Sequence, residues 1–233
     1  MDRLTRKTLK DDRFAAEVTH SVEYLTEHRR QALLYGGIAA VVLALAAGIY
    51  FYRQRRAAAG HEALYKALQT YHALVTDEDR PGRTTFHTAA EKHAQALKDF
   101  QALARGFSGR TEGRIGGYYL GLVYHEMGKP AEAQKELESV IGRGHDSVGA
   151  LARLTLAEIY HAQGKDEEAG KNYQYLIQNP TETVPENRAR LALARSLRER
   201  NPQEARKLLL ELEKRPGPIA AAAGTALREL GGL

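Results

Sequence analysis

The sequence predicts an all-α chain: a single transmembrane helix followed by an α-solenoid of stacked helical hairpins. Three observations carry that prediction. Residues 32–52 form an uncharged run of 21 residues. The stretch LGLVYHEMGK at 120–129 returns as LAEIYHAQGK at 156–165, a spacing of 36. Helix-stop and helix-start residues recur between the apolar stretches, with Gly128 and Gly164 on one side and Pro130 and Pro202 on the other.

Composition sets outer limits. A chain of 233 residues accommodates one domain with its own core, with or without appendages. The absence of Cys removes disulfides, thiolate metal sites and cysteine nucleophiles, and leaves the redox compartment open. The formal charge is +5, but residues 57–233 hold 24 Lys/Arg against 23 Asp/Glu, so the excess sits outside the repeats. A phosphate backbone needs clustered cations on the domain itself, and nucleic acid is therefore not an expected partner.

Residues 1–31 form an N-terminal segment expected on the cytoplasmic side. Within it Phe14, Val18, Val22 and Leu25 make one narrow apolar stripe at helical spacing. A docking helix, a helix lying on the membrane surface and a solvated lead-in all fit that stripe. Residues 32–52, ALLYGGIAAVVLALAAGIYFY, then span about 31 Å as a helix, the thickness of a hydrocarbon core. Tyr35 at one end and Tyr50, Phe51 and Tyr52 at the other suit the headgroup region, and Arg29, Arg30, Arg53, Arg55 and Arg56 bracket the run. A cleaved signal peptide ending at Ala57-Ala58-Ala59 fits poorly, because the apolar run is too long and an RQRR cluster stands before the cut. Seven Lys/Arg precede the span, against four (Arg53, Arg55, Arg56 and Lys66) within twenty residues after it. This balance favours the N-terminus inside and the C-terminal domain translocated.

Residues 53–82 are read as a juxtamembrane helix and linker, and 83–233 as the repeat domain with a capping helix near Ile219–Leu230. The repeat skeleton is L-[G/A]-x-x-Y-H-x-x-G-K, followed by Glu132-Ala133 or Glu168-Ala169 and then by Leu137/Tyr173, Val140/Leu176 and Ile141/Ile177. A weaker copy runs through Leu193, Ala194, Leu197, Asn201, Pro202 and Ala205, with Leu208 and Leu209 following. Ala96, Phe100 and Leu103 reproduce the second half of the unit upstream. Small Gly121 and Ala157 allow a second helix to approach, Tyr124 and Tyr160 supply apolar area one turn on, and Gly128 and Gly164 end the helix in a left-handed residue. Asp166 is expected to cap the next helix, with Pro130 and Pro202 in first turns.

This skeleton resembles the tetratricopeptide repeat, with Gly117 and Arg153 standing where that pattern usually has Trp. Three to four hairpins plus a cap are expected over 83–233. The order of parts, a short leading segment, a span with basic edges, AGHEALYKALQTY at 59–71 and then degenerate hairpins, resembles the YfgM-like family of inner-membrane proteins. That resemblance implies residence in the bacterial inner membrane with a periplasmic C-terminal domain. It also implies an ancillary role at the Sec translocon, with translocon subunits, periplasmic chaperones or client polypeptides as partners. An envelope scaffold for cell-wall or outer-membrane assembly is the alternative. Hairpin stacks with exposed ends can also pair into a homo-oligomer.

No catalytic, cofactor or metal site is expected. A phosphate loop needs G-x-x-x-x-G-K-[S/T], but Val123 or Ile159 stands at the first Gly and Pro130 or Asp166 at the last position. His125-Glu126 begins an H-E-x-x-H, but Lys129 replaces the second His. His87 and Glu91 share a helix face from which His93 is rotated away. In a stacked array the first helices of the hairpins line a concave surface, and register places Tyr118, Leu122, His125, Glu126, Leu154, Glu158, His161, Leu191, Arg195 and Arg198 on it. Mixed apolar and charged, that surface suits an extended peptide or a partner helix.

Overall fold

A computed structural model of the chain describes residues 29–78, 82 and 84–231. The stripe of Phe14, Val18, Val22 and Leu25 lies outside the described residues. The chain forms two units, one through Ala58 and one over Ala59–Leu233, and helix α1 (Arg29–Tyr71) contributes residues to both.

In the first unit, Leu33, Ile38, Val42, Leu45, Ile49 and Phe51 are exposed. None of the most apolar stretch of α1 is buried, and the helix is long and apolar enough to cross a membrane. A core helix of a water-soluble domain would cover that surface.

The second unit opens with residues 59–71, which the sequence reading placed outside the repeats. Ala67 is buried with Ala96, Phe100, Leu103, Leu120 and Val123, and Thr70 Oγ1 donates to Asp99 Oδ2 at 2.8 Å. The end of α1 is thus the first helix of a hairpin whose second helix is α2 (Ala89–Gly106). Between them lies a departure from the all-helical expectation: β1 (Leu74–Val75) and β2 (Thr85–Phe86) pair in parallel. The hairpins α3 (Thr111–Glu126) with α4 (Pro130–Ile141), α5 (Ser147–Ala162) with α6 (Asp166–Gln178), and α7 (Glu186–Ser196) with α8 (Pro202–Glu213) follow, and α9 (Pro218–Gly231) closes the array. Each helix from α2 onward packs on the next, while α3 meets α5, α5 meets α7 and α7 meets α9. That nearest-neighbour pattern defines a solenoid.

The repeated residues explain the packing. Ala133, Leu137 and Val140 of α4 are buried, as are Ala169, Tyr173 and Leu176 at the same places in α6. Tyr124 packs against the clusters on both sides of it, and Tyr160 does the same one repeat later, so these two rings join successive hairpins. Gly128 and Gly164 adopt φ of 69° and 73°, the left-handed stop the pattern requires. An L side chain there is disfavoured, and Gly164→Ala is expected to cost about 1–2 kcal/mol, read as a lower urea midpoint of the full chain in detergent.

Pro130 and Pro202 occupy first helical turns, and Asn201 accepts from the Glu204 amide. Asp166 is not the cap the sequence suggested. Lys165 holds that position and Asp166 begins α6, where its carboxylate accepts from His161 Nδ1 at 2.7 Å and from Arg200 at 2.5 Å. The His161 ring and the Arg200 guanidinium together hold the carboxylate in place of a backbone amide.

Asp146 does cap a helix, accepting from the Val148 and Gly149 amides, and it also pairs with Arg114. Partial burial pushes its carboxyl up, but the Gly149 amide and the Arg114 guanidinium outweigh this and hold it below the usual carboxylate range. A depressed folded-state pKa stabilises above the ordinary Asp value, and that contribution is lost as pH falls through the lowered one. Asp146→Asn keeps a capping side chain while removing the charge. Its deficit is expected to be below about 1 kcal/mol at pH 7 and to shrink once the pH falls below the ordinary Asp value, as read from urea midpoints across the acid range.

Candidate partner-binding groove

The first helices of the third and fourth hairpins, α5 and α7, leave a cleft between them. Leu154, Glu158 and His161 stand at i, i+4 and i+7 on one face of α5, and Arg188, Leu191 and Arg195 occupy one face of α7 at spacings of three and four. With Tyr173 of α6 and with Ala192 and Ser196, these side chains line a groove of about 420 Å³. Tyr173 is nearly fully buried, and that burial pushes its hydroxyl up. Leu154, Leu191 and Ala192 add the remaining apolar surface.

The polar rim carries opposing charges that do not meet. Burial raises the Glu158 carboxyl above the usual range, while Arg188, His125 and Arg195 pull it back. Among the described residues neither Arg188 nor Arg195 has a carboxylate within 4 Å, although Arg188 donates to the Thr183 carbonyl at 2.7 Å. His161 is positioned from behind by Asp166, whose carboxyl is held down by that hydrogen bond and by Arg200.

Five of the ten residues read from the repeat register therefore come together here: Leu154, Glu158, His161, Leu191 and Arg195. Two more adjoin the cleft. Tyr118, whose hydroxyl is pushed up by burial, feels both Arg188 and Glu158, and His125 lies close enough to Glu158 to act on its charge. Leu122 is half-buried on α3. Glu126 faces elsewhere, accepting from Tyr71 Oη at 2.5 Å and lying 3.3 Å from His93 Nε2. Arg198 is also diverted: α7 ends at Ser196, so Arg198 sits in the following turn, 3.8 Å from Glu229 of α9. The equivalent His161 is still inside α5, and the shorter helix is what breaks the register.

Arg188 and Tyr173 were not legible from the first-helix register. Arg188 carried one signal, its place three residues before Leu191 on the same face. Tyr173 belongs to a second helix, and only its size where the previous repeat has Leu137 marked it.

Glu91 is occupied in a capping box with Thr88, and among the described residues no group of three or more His, Asp or Glu is placed to hold a metal ion. Arg153, at the family's usual Trp position, lies 4.0 Å over the Tyr175 ring and donates to Asn172, so a cation–π contact replaces an aromatic one.

No curated protein and no solved structure is significantly similar to this chain. A family model described as a tetratricopeptide repeat-like domain matches residues 27–176. The match takes in the apolar helix and the first three hairpins, while α7, α8 and α9 extend beyond it. Covering well over half of the sequence, and agreeing with hairpins that stack on their neighbours and present a shared groove, it places the chain in the tetratricopeptide repeat-like domain family, a helical repeat of the protein-interaction type.

Proposed function

We propose that the protein is a membrane-anchored, non-catalytic interaction module. In this reading residues 32–52 hold it in the bacterial inner membrane as a single pass, with the N-terminus cytoplasmic and the repeats periplasmic. The repeats hold a partner or client polypeptide in the groove between α5 and α7. The groove itself carries the reading, since it combines an apolar floor with arginines that, among the described residues, lack a carboxylate within ion-pair distance. An apolar helix that nothing buries supports the anchor, and the family match begins at 27, ahead of that helix. The assignment to the Sec translocon rests on the YfgM-like order of parts.

Two measurements test this. Co-purification from detergent-solubilised membranes is expected to recover translocon subunits or periplasmic chaperones with the full chain. Recovery of cell-wall or outer-membrane assembly factors in their place sinks the Sec assignment in favour of an envelope scaffold. Protease added from the periplasmic side is expected to digest the repeats, and protection of the repeats reverses the orientation.

A further inference from the structure

Resting on the reading of the repeats as a binding module, we infer that the α5–α7 groove takes a short acidic segment of a partner polypeptide, one that alternates carboxylates with large apolar side chains. The argument is charge complementarity over an apolar floor. Leu154, Leu191 and the edge of Tyr173 supply a surface that a leucine-sized side chain covers. Arg188 and Arg195 stand on that surface without a carboxylate within 4 Å among the described residues, and the one acid that lines the groove with them, Glu158, reaches neither. A guanidinium at the edge of a partly dehydrated cleft gains most from an incoming carboxylate, which it can bind through two parallel hydrogen bonds.

Among the described residues Glu158 is the only acid lining the groove, and it tempers the charge that the arginines present. It attracts both arginines at longer range without reaching either, and it repels an incoming carboxylate. Losing its charge therefore strengthens the field that an acidic segment meets. A basic segment, by contrast, would face two guanidinium groups against one carboxylate. Removing charge from Glu158 and reversing charge on the arginines must shift affinity in opposite directions, a signature that non-specific apolar adsorption cannot produce.

The test uses the full chain in detergent micelles and three fluorescein-labelled ten-residue peptides: alternating Leu and Glu, alternating Leu and Lys, and alternating Ser and Glu. Anisotropy titration is expected to show the Leu/Glu peptide binding at least about tenfold more tightly than either of the others, with affinity falling as salt rises. The double variant Arg188→Glu, Arg195→Glu is expected to weaken it at least about tenfold, and Glu158→Gln to tighten it about two- to fivefold. These side chains are rim residues, and unchanged thermal melts establish that the variants fold.

Equal binding of the Leu/Glu and Leu/Lys peptides, no binding at all, or an unchanged affinity in the double variant overturns the inference. So does self-association of the chain, or capture by anionic lipid vesicles, that the double variant abolishes without any effect on peptide. Failure of this groove chemistry is separable from failure of the broader reading. If the double variant still co-purifies with the partners of the parent chain, the module binds them by another surface. If the peptides discriminate as expected and nothing co-purifies from membranes, the groove chemistry stands and the cellular role falls.

Discussion

Phe100→Ala is expected to destabilise the repeat domain by about 3–5 kcal/mol, the range for emptying a large aromatic site in a packed core. Phe100 is 0% exposed in the cluster joining the end of α1 to α2 and α3. Its ring stacks on Tyr119 with centroids 5.1 Å apart and planes 11° from parallel, and Tyr71 meets it edge-on at 6.1 Å. Truncation removes its own transfer energy and also the support for those two rings. Tyr71 then loses the packing that aims its hydroxyl at Glu126, an interaction which, together with burial, pushes that hydroxyl up.

Because a solenoid is stabilised by neighbours, the damage is expected to be local. Hydrogen exchange should show lost protection in residues 59–71, α2 and α3, while α7, α8 and α9 keep theirs. Uniform loss across all the hairpins, or a deficit below about 1 kcal/mol, would mean that the first hairpin does not depend on this ring.

How much of this was legible follows from which features are periodic. The stops at Gly128 and Gly164, the buried positions Ala133, Leu137, Ala169 and Leu176, and the pairing of Ala96 and Phe100 with them all repeat, so spacing alone located them. The first helix of the first hairpin is expected from the sequence only as a juxtamembrane helix, outside the repeats. It is the tail of a helix whose dominant signal is the apolar run, and Ala67 carries no mark that distinguishes it from a linker alanine. Five groove residues followed from register, but the register holds only while the helices keep equal length. Arg198 lies outside the groove because α7 closes before reaching it. Glu126 is diverted by Tyr71 and His93, partners that no local pattern announces.

Gly113→Ala is expected to be the most damaging single-methyl change, costing about 3 kcal/mol, at the upper end of the usual range for overpacking. A Cβ there would sit 2.1 Å from the Phe107 carbonyl oxygen and 2.4 Å from its carbon, a contact no flexible side chain can relieve because both atoms are backbone. The first turn of α3 crosses directly over the chain leaving α2. One repeat later Gly149 meets the Gly144 carbonyl oxygen at 2.3 Å, so the same crossing recurs at the spacing of 36. Among five glycines between 109 and 121, sequence alone does not show which one bears the crossing. Gly170→Ala supplies the control, since a Cβ added there meets nothing within 4 Å in the middle of α6. A helical Gly replaced by Ala without a clash gains about 0.5–1 kcal/mol. Urea midpoints of the three variants are therefore expected to move in opposite directions, down for Gly113→Ala and Gly149→Ala and up for Gly170→Ala. A rise at Gly113 would show that α3 can slide over α2, and the close helix crossing would then not be what fixes the pitch of the array.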